Sequence, residues 1–185
     1  MKIRLSFHIN LVFSISILIF IILACSKNKP DDGKSKLAGM YKLYISENQD
    51  SNGVWHEDPW TKGGTGYIIY DGLGHMAAQI TQRGYKDFNW LSEKESIIPK
   101  RVQEKIDSMS TEELKAAVKE FSSSYVYFAD YTIDDTANIV SHHRIASSIP
   151  DIWGTTVRRA FSFSGDTLIL RILNGNRRLK WIKQN

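Results

Sequence analysis

Apolar and polar positions alternate along most of residues 37–185, and the dominant period is two. "MYKLYI" places Tyr41, Leu43 and Ile45 on one face of a strand. In "GYIIYDGLGHMAAQI", residues 66–80, two runs rich in apolar side chains flank Asp71-Gly72-Leu73-Gly74. That arrangement predicts a β-hairpin with Met76, Ala78 and Ile80 on one face. Both arms are more apolar than a sheet with one wet face requires, so the second face needs a cover. "YVYFADYTI" puts Tyr125, Tyr127, Tyr131 and Ile133 together and Asp130 opposite. The rhythm continues through "NIVSHHRIA", "TVRRAFSF", "TLILRIL" and "RRLKWIK", with turn signals at Ser164-Gly165-Asp166 and Asn174-Gly175-Asn176. Roughly eight to ten short strands, at about 8–12-residue spacing, predict an all-β antiparallel barrel or sandwich.

Residues 82–124 break this rhythm. Pro99 suits the first turn of a helix, and Val102, Ile106 and Met109 follow at helical spacing. Ser110 and Glu113 match a capping box, with Leu114, Val118 and Phe121 as an apolar stripe behind it. One or two short helices are therefore expected near residues 99–123, as an insert at the edge of the β structure. The stripe is expected to pack against the sheet.

The first 24 residues have a different composition. Lys2 and Arg4 precede Leu11–Ala24, an uncharged and largely apolar run of 14 residues. A membrane-spanning helix needs roughly 20 apolar residues, so the run reads as a signal peptide. It ends in Ile22-Leu23-Ala24-Cys25, and Cys25 is the one cysteine of the chain. This resembles the bacterial lipobox, in which the cysteine is acylated and the peptide is cut before it. The resemblance implies a lipid anchor at Cys25, with the membrane as partner. The expected location is the cell envelope, at the outer membrane, on its periplasmic face or the cell surface. Residues 25–36 then form a polar tether, and "KPDD" within it has the composition either of a sorting signal or of a plain linker. A single cysteine leaves no disulfide within the chain, so stability must come from packing.

The expected division is thus 1–24 signal peptide, 25–36 acylated cysteine and tether, and 37–185 one β domain. The formal net charge of the whole chain is +4 at pH 7, and Lys2 and Arg4 account for two of those charges. The remaining cations are interspersed with acids, which gives no nucleic-acid footprint.

Several segments together resemble the lipocalin-like domain family of bacteria and fungi. They are "LAGMYKL", "GTGYIIYDGLGHMAAQI", "YVYFADYTID", "SHHRIASSIPDIWGTTVRR" and "FSFSGDTLILR", in that order, over nearly all of residues 37–182. The family's first-strand Trp is replaced here by Tyr41, and the helical insert is longer and more polar than the family suggests. The resemblance implies an antiparallel barrel of about eight strands around a cavity. One face of each strand would then look inward, with the outer face partly covered by a helix or a neighbouring layer.

A mixed lining of rings and hydroxyls suits a small hydrophobic or amphipathic ligand. The candidate lining is Tyr70, Met76, Tyr127, Tyr131, His142, His143, Trp153 and Arg159. Adjacent strand residues point to opposite faces, so His142 and His143 cannot chelate one metal from a regular strand. No spacing of ligands suggests a metal or another cofactor. Arg159 shares a face with Val157, Phe161 and Phe163, and an arginine there needs a partner: an acidic ligand, an aromatic ring or a carboxylate such as Asp130. No nucleophile motif or phosphate-binding glycine loop is present. Three functions remain open. The first is a membrane-anchored barrel that binds a small ligand. The second is a barrel enzyme of isomerase or cyclase type using a cavity His or Tyr as acid or base. The third is a structural envelope lipoprotein with a filled barrel.

Overall fold

The computed structural model describes residues 33–185 apart from Leu91. The expected signal peptide, Cys25 and most of the expected tether lie outside the described residues. The described residues form nine strands: β1 (Gly39–Gln49), β2 (Trp55–Glu57), β3 (Thr65–Tyr70), β4 (His75–Thr81), β5 (Ser124–Asp134), β6 (Ile139–Ser147), β7 (Thr156–Ser164), β8 (Thr167–Ile172) and β9 (Arg177–Lys183). Consecutive strands from β3 to β9 pair antiparallel. β1 pairs with both β3 and β9, which closes an eight-stranded barrel. The short β2 is an extra strand beside the far end of β1, where Asn48 pairs with His56. Closure leaves the eight barrel strands without a free edge.

Alternation fills the interior. Ile68, Tyr70, Met76, Ala78, Ile80, Tyr127, Ala129, Tyr131, Val140, Leu168, Leu170, Leu179 and Trp181 are buried in one cluster. Tyr41 belongs to it, but the expected partnership of Tyr41, Leu43 and Ile45 ends at a β-bulge. Leu43 pairs with Trp181 whereas Ile45 pairs with Lys180, so the extra residue Tyr44 turns Ile45 outward and Ser46 inward. A bulge shifts register by one residue, and a period-two reading cannot foresee it.

At the hairpin of β3 and β4 the Asp71 carboxylate accepts from the backbone N–H groups of Leu73, Gly74 and His75, at 2.7, 2.9 and 2.9 Å. Gly72 and Gly74 hold φ of 77° and 126°, conformations that a side chain would strain. This turn lies at one end of the barrel, together with the 3-10 turn Lys34–Leu37. Leu37 is fully buried, and the Tyr131 hydroxyl donates to the Lys34 carbonyl at 2.9 Å. Residues 33–36, which composition places in the tether, therefore lie against the barrel and plug this end.

The connection between β4 and β5 holds α1 (Glu93–Ser96), α2 (Pro99–Ser108) and α3 (Thr111–Phe121). Pro99 opens α2, and Ser110 and Glu113 form the expected capping box of α3. The expected packing of the stripe does not occur. Leu114, Val118 and Phe121 are 39%, 61% and 64% exposed. The buried residue of α3 is Ala117, because the helix turns its small-residue face, Ala116 and Ala117, toward residues 83–90. Nor do the helices cover the hairpin: Tyr67, Ile69 and Phe128 on the outer face of β3–β5 are exposed. The apolar outer positions of the hairpin thus remain open in this domain.

Candidate functional site

The plugged end of the barrel is packed solid by side chains. Tyr70 and Tyr131 meet edge to face with ring centroids 5.0 Å apart. His142 is completely buried beside them. Its Nε2 lies 2.9 Å from the Tyr70 hydroxyl and its Nδ1 lies 3.0 Å from the Tyr127 hydroxyl. Burial pushes the His142 pKa down to about 3, and the nearby positive Arg159 and Arg144 add to the effect. The imidazole is therefore neutral at physiological pH. One of its nitrogens donates to a phenol and the other accepts from the second phenol. Burial likewise raises the Tyr127 pKa to about 12 and that of Tyr70 well above the usual phenol range. The three groups form a neutral, mutually satisfied network, and both ring nitrogens of His142 are occupied within it.

The opposite end is open. A cup of about 370 Å3 lies there, walled by Ile80, Tyr125, Leu179 and Arg159, with Trp60 and Ile149 at its rim. The volume falls within the roughly 300–1,000 Å3 of small-molecule sites. Below the cup a void of about 20 Å3 reaches Tyr127 and Trp181. Arg159 borders both spaces.

An ion pair fixes the rim. Arg177 Nη2 lies 2.7 Å from Asp58 Oδ2, and its Nε donates to Ser46 Oγ at 3.1 Å. Ser46 Oγ in turn donates to Asp58 Oδ2 at 3.2 Å, and the Trp60 backbone N–H donates to Asp58 Oδ1 at 3.1 Å. Ser46 faces inward only because of the bulge in β1. The bulge therefore allows the loop carrying Trp60 to be tied over the mouth.

Two arginines enter the interior, from β6 and β7. Arg144 Nη1 donates to the Tyr125 hydroxyl at a long 3.4 Å, and its guanidinium lies 6.0 Å from the Tyr127 ring centroid. Arg144 Nε, Arg159 Nη1 and Trp181 Nε1 are buried N–H groups without a hydrogen-bond partner among the described residues. Buried donors are almost always satisfied, so three together mark this region as unusual.

The predicted lining separates into three groups. Tyr70, Met76, Tyr131 and His142 point inward but belong to the packed core at the plugged end. Tyr127 touches the small void, and Arg159 alone of the predicted set lines the cup. His143 and Trp153 do not line it. His143 is on the outer face, with Nδ1 3.1 Å from Thr156 Oγ1, as alternation beside an inward His142 requires. Trp153 sits 55% exposed on the β6–β7 loop, and its indole N–H donates to the Ser147 carbonyl at 2.8 Å. Asp130 is exposed near His75 and is not the partner of Arg159. Sequence reading missed Arg144, Trp181, Trp60 and Arg177. Arg144 and Trp181 share inward parity with His142 and Leu179, a signal present in the sequence. Arg177 shares that parity with Leu179 and Trp181 as well, whereas Trp60 reaches the mouth on a loop that no local pattern encodes.

No curated protein matches the chain significantly. A family model described as the lipocalin-like domain matches residues 38–183, which is nearly the whole described domain. That match and the closed eight-stranded antiparallel barrel agree: the chain belongs to the lipocalin-like domain family.

Proposed function

We propose that this protein is a membrane-anchored barrel of the cell envelope that binds a small amphipathic molecule in the cup at its open end. The observation that carries the reading is the asymmetry of the interior. One end is plugged by Leu37 and the Tyr70–His142–Tyr127 network, while the other retains about 370 Å3 walled by aromatic, aliphatic and cationic side chains. A barrel serving only as structure gains nothing from that space, since unfilled volume forfeits packing energy. Gly33 and the 3-10 turn that follows it lie at the end opposite the cup. Native mass spectrometry of the protein extracted from its own envelope tests the binding role. A co-purifying small molecule supports it, and repeated recovery of empty protein that also fails to take up added amphiphiles refutes it.

Anchoring rests on the sequence around Cys25. Cys25→Ser is expected to move the protein out of the membrane fraction or to leave its leader uncleaved. If the variant is processed and fractionates with membranes as the wild type does, the lipid anchor is refuted.

A further inference from the structure

The charge inside the barrel is unbalanced. Arg144 and Arg159 project inward from β6 and β7, and neither makes an ion pair among the described residues. The buried carboxylate of Asp58 is committed to Arg177 at 2.7 Å. Glu47, the other buried acid among the described residues, pairs with Arg178 and Lys180 at 2.6 and 3.0 Å. The charged groups on the wall of the cup are Arg159 and Arg177, with no acid among them. Beneath it, the unpartnered Arg159 Nη1 and Trp181 Nε1 border the same void of about 20 Å3. That is room for about one water, which satisfies some donors but supplies no countercharge. Both unmatched groups at this void are donors.

We infer that the cup takes a carboxylate amphiphile, its head seated against Arg159 above the water-sized void that holds the Trp181 indole N–H, and its apolar body lying between Ile80, Leu179, Ile149 and Trp60. This rests on the ligand-binding reading above and specifies its chemistry. Guanidinium is the side chain suited to a two-oxygen anion, because its N–H groups diverge at the angle a carboxylate presents. A few donors around one cation fit a carboxylate better than a phosphate monoester, whose three terminal oxygens demand more. The remaining wall sets Ile80, Leu179, Ile149, Trp60 and Tyr125 beside Ser122, Ser124 and Arg177, whose charge is already matched by Asp58, so the rest of the molecule need carry no charge. The Nη1 of Arg159 is buried without a hydrogen-bond partner among the described residues, and an entering carboxylate supplies both an acceptor and a countercharge where an alcohol supplies no charge.

The test uses the full chain in an uncharged detergent, with octanoate and 1-octanol as probes compared at equal free concentration. The readout is the indole N–H NMR signal of Trp181, assigned by its loss in Trp181→Phe. Octanoate should shift it saturably, about tenfold more tightly than octanol, and Arg159→Gln should abolish the difference. Equal binding of the two probes, or undiminished octanoate preference in Arg159→Gln, overturns the carboxylate assignment and leaves the amphiphile-binding barrel standing. If neither probe shifts the signal, the binding role and the carboxylate assignment fall together. The wild-type comparison needs no substitution, so it decides the matter even if Arg159→Gln folds poorly, and Arg159→Lys then provides a charge-retaining control.

Discussion

Lowering the pH from 7 to 5 is expected to destabilise the barrel by about 2 kcal/mol through His142 alone. Its ordinary pKa of 6.5 falls to about 3 in the folded state, because the ring is buried and faces Arg159 and Arg144. The unfolded chain therefore takes up a proton between those values while the folded one does not. Stability is full above pH 6.5 and declines as the pH falls toward 3, which is the direction for a histidine held neutral by burial. A tenfold difference in proton affinity between the folded and unfolded chains is worth about 1.4 kcal/mol, so the total loss approaches about 5 kcal/mol below pH 3, and about 2 kcal/mol of it has accrued by pH 5. Among the carboxylates, Glu47, Asp50, Asp71, Glu95 and Glu113 are all lowered from values of 3.8 or 4.5. Their contributions are present above those values and are lost mainly below pH 4.5, so the window from 7 to 5 isolates histidine. The comparison is wild type against His142→Gln, whose amide can donate to one phenol and accept from the other without titrating. Urea unfolding at pH 7 and pH 5, with unchanged m-values, gives the two losses. Wild type should lose about 2 kcal/mol more than the variant. Equal losses, or a His142 ring signal that titrates near its ordinary pKa of 6.5 by NMR, would refute the buried neutral imidazole.

Tyr127→Phe should destabilise the protein by about 1–3 kcal/mol, since it keeps the ring but orphans the His142 nitrogen 3.0 Å from the lost hydroxyl. Chemical denaturation checks this, and a change below about 0.5 kcal/mol would count against the hydrogen bond. Hydrogen exchange should show lower protection over residues 93–121 than over β3–β4 or β7–β8, because Ala117 is the only buried residue of the three helices. Uniform protection would mean that the helices are integral to the core.

Much of the barrel was legible in the sequence because strand alternation and turn chemistry are local. "GYIIYDGLGHMAAQI" carries its own turn in Asp71, Gly72 and Gly74, and the inward positions Met76, Ala78 and Ile80 follow from period two. The capping box at Ser110 and the proline at the start of α2 are equally local signals. Arg159 was recognisable as an inward cation needing a partner, since its face carries Phe161. The family match over residues 38–183 agrees with the same ordered segments.

Which residues turn inward and where the chain reverses are set by the order of residues alone, because both depend on neighbours one to four positions away. Whether an inward residue meets packed core or open space was decided only in three dimensions. Tyr70 and Tyr131 look inward like Arg159, yet they meet edge to face at the end plugged by Leu37, where the Lys34 carbonyl accepts from the Tyr131 hydroxyl. The bulge at Tyr44 exchanged Ile45 for Ser46 inside, and Ser46 then joined Asp58 and Arg177 across 12 and 131 residues of sequence separation. The stripe of α3 has the pattern of a packing face, but packing requires a partner surface, and the tertiary arrangement set Ala117 rather than Phe121 against the rest of the insert. Closure, tilt and long-range hydrogen bonds select among faces that local periodicity can only define.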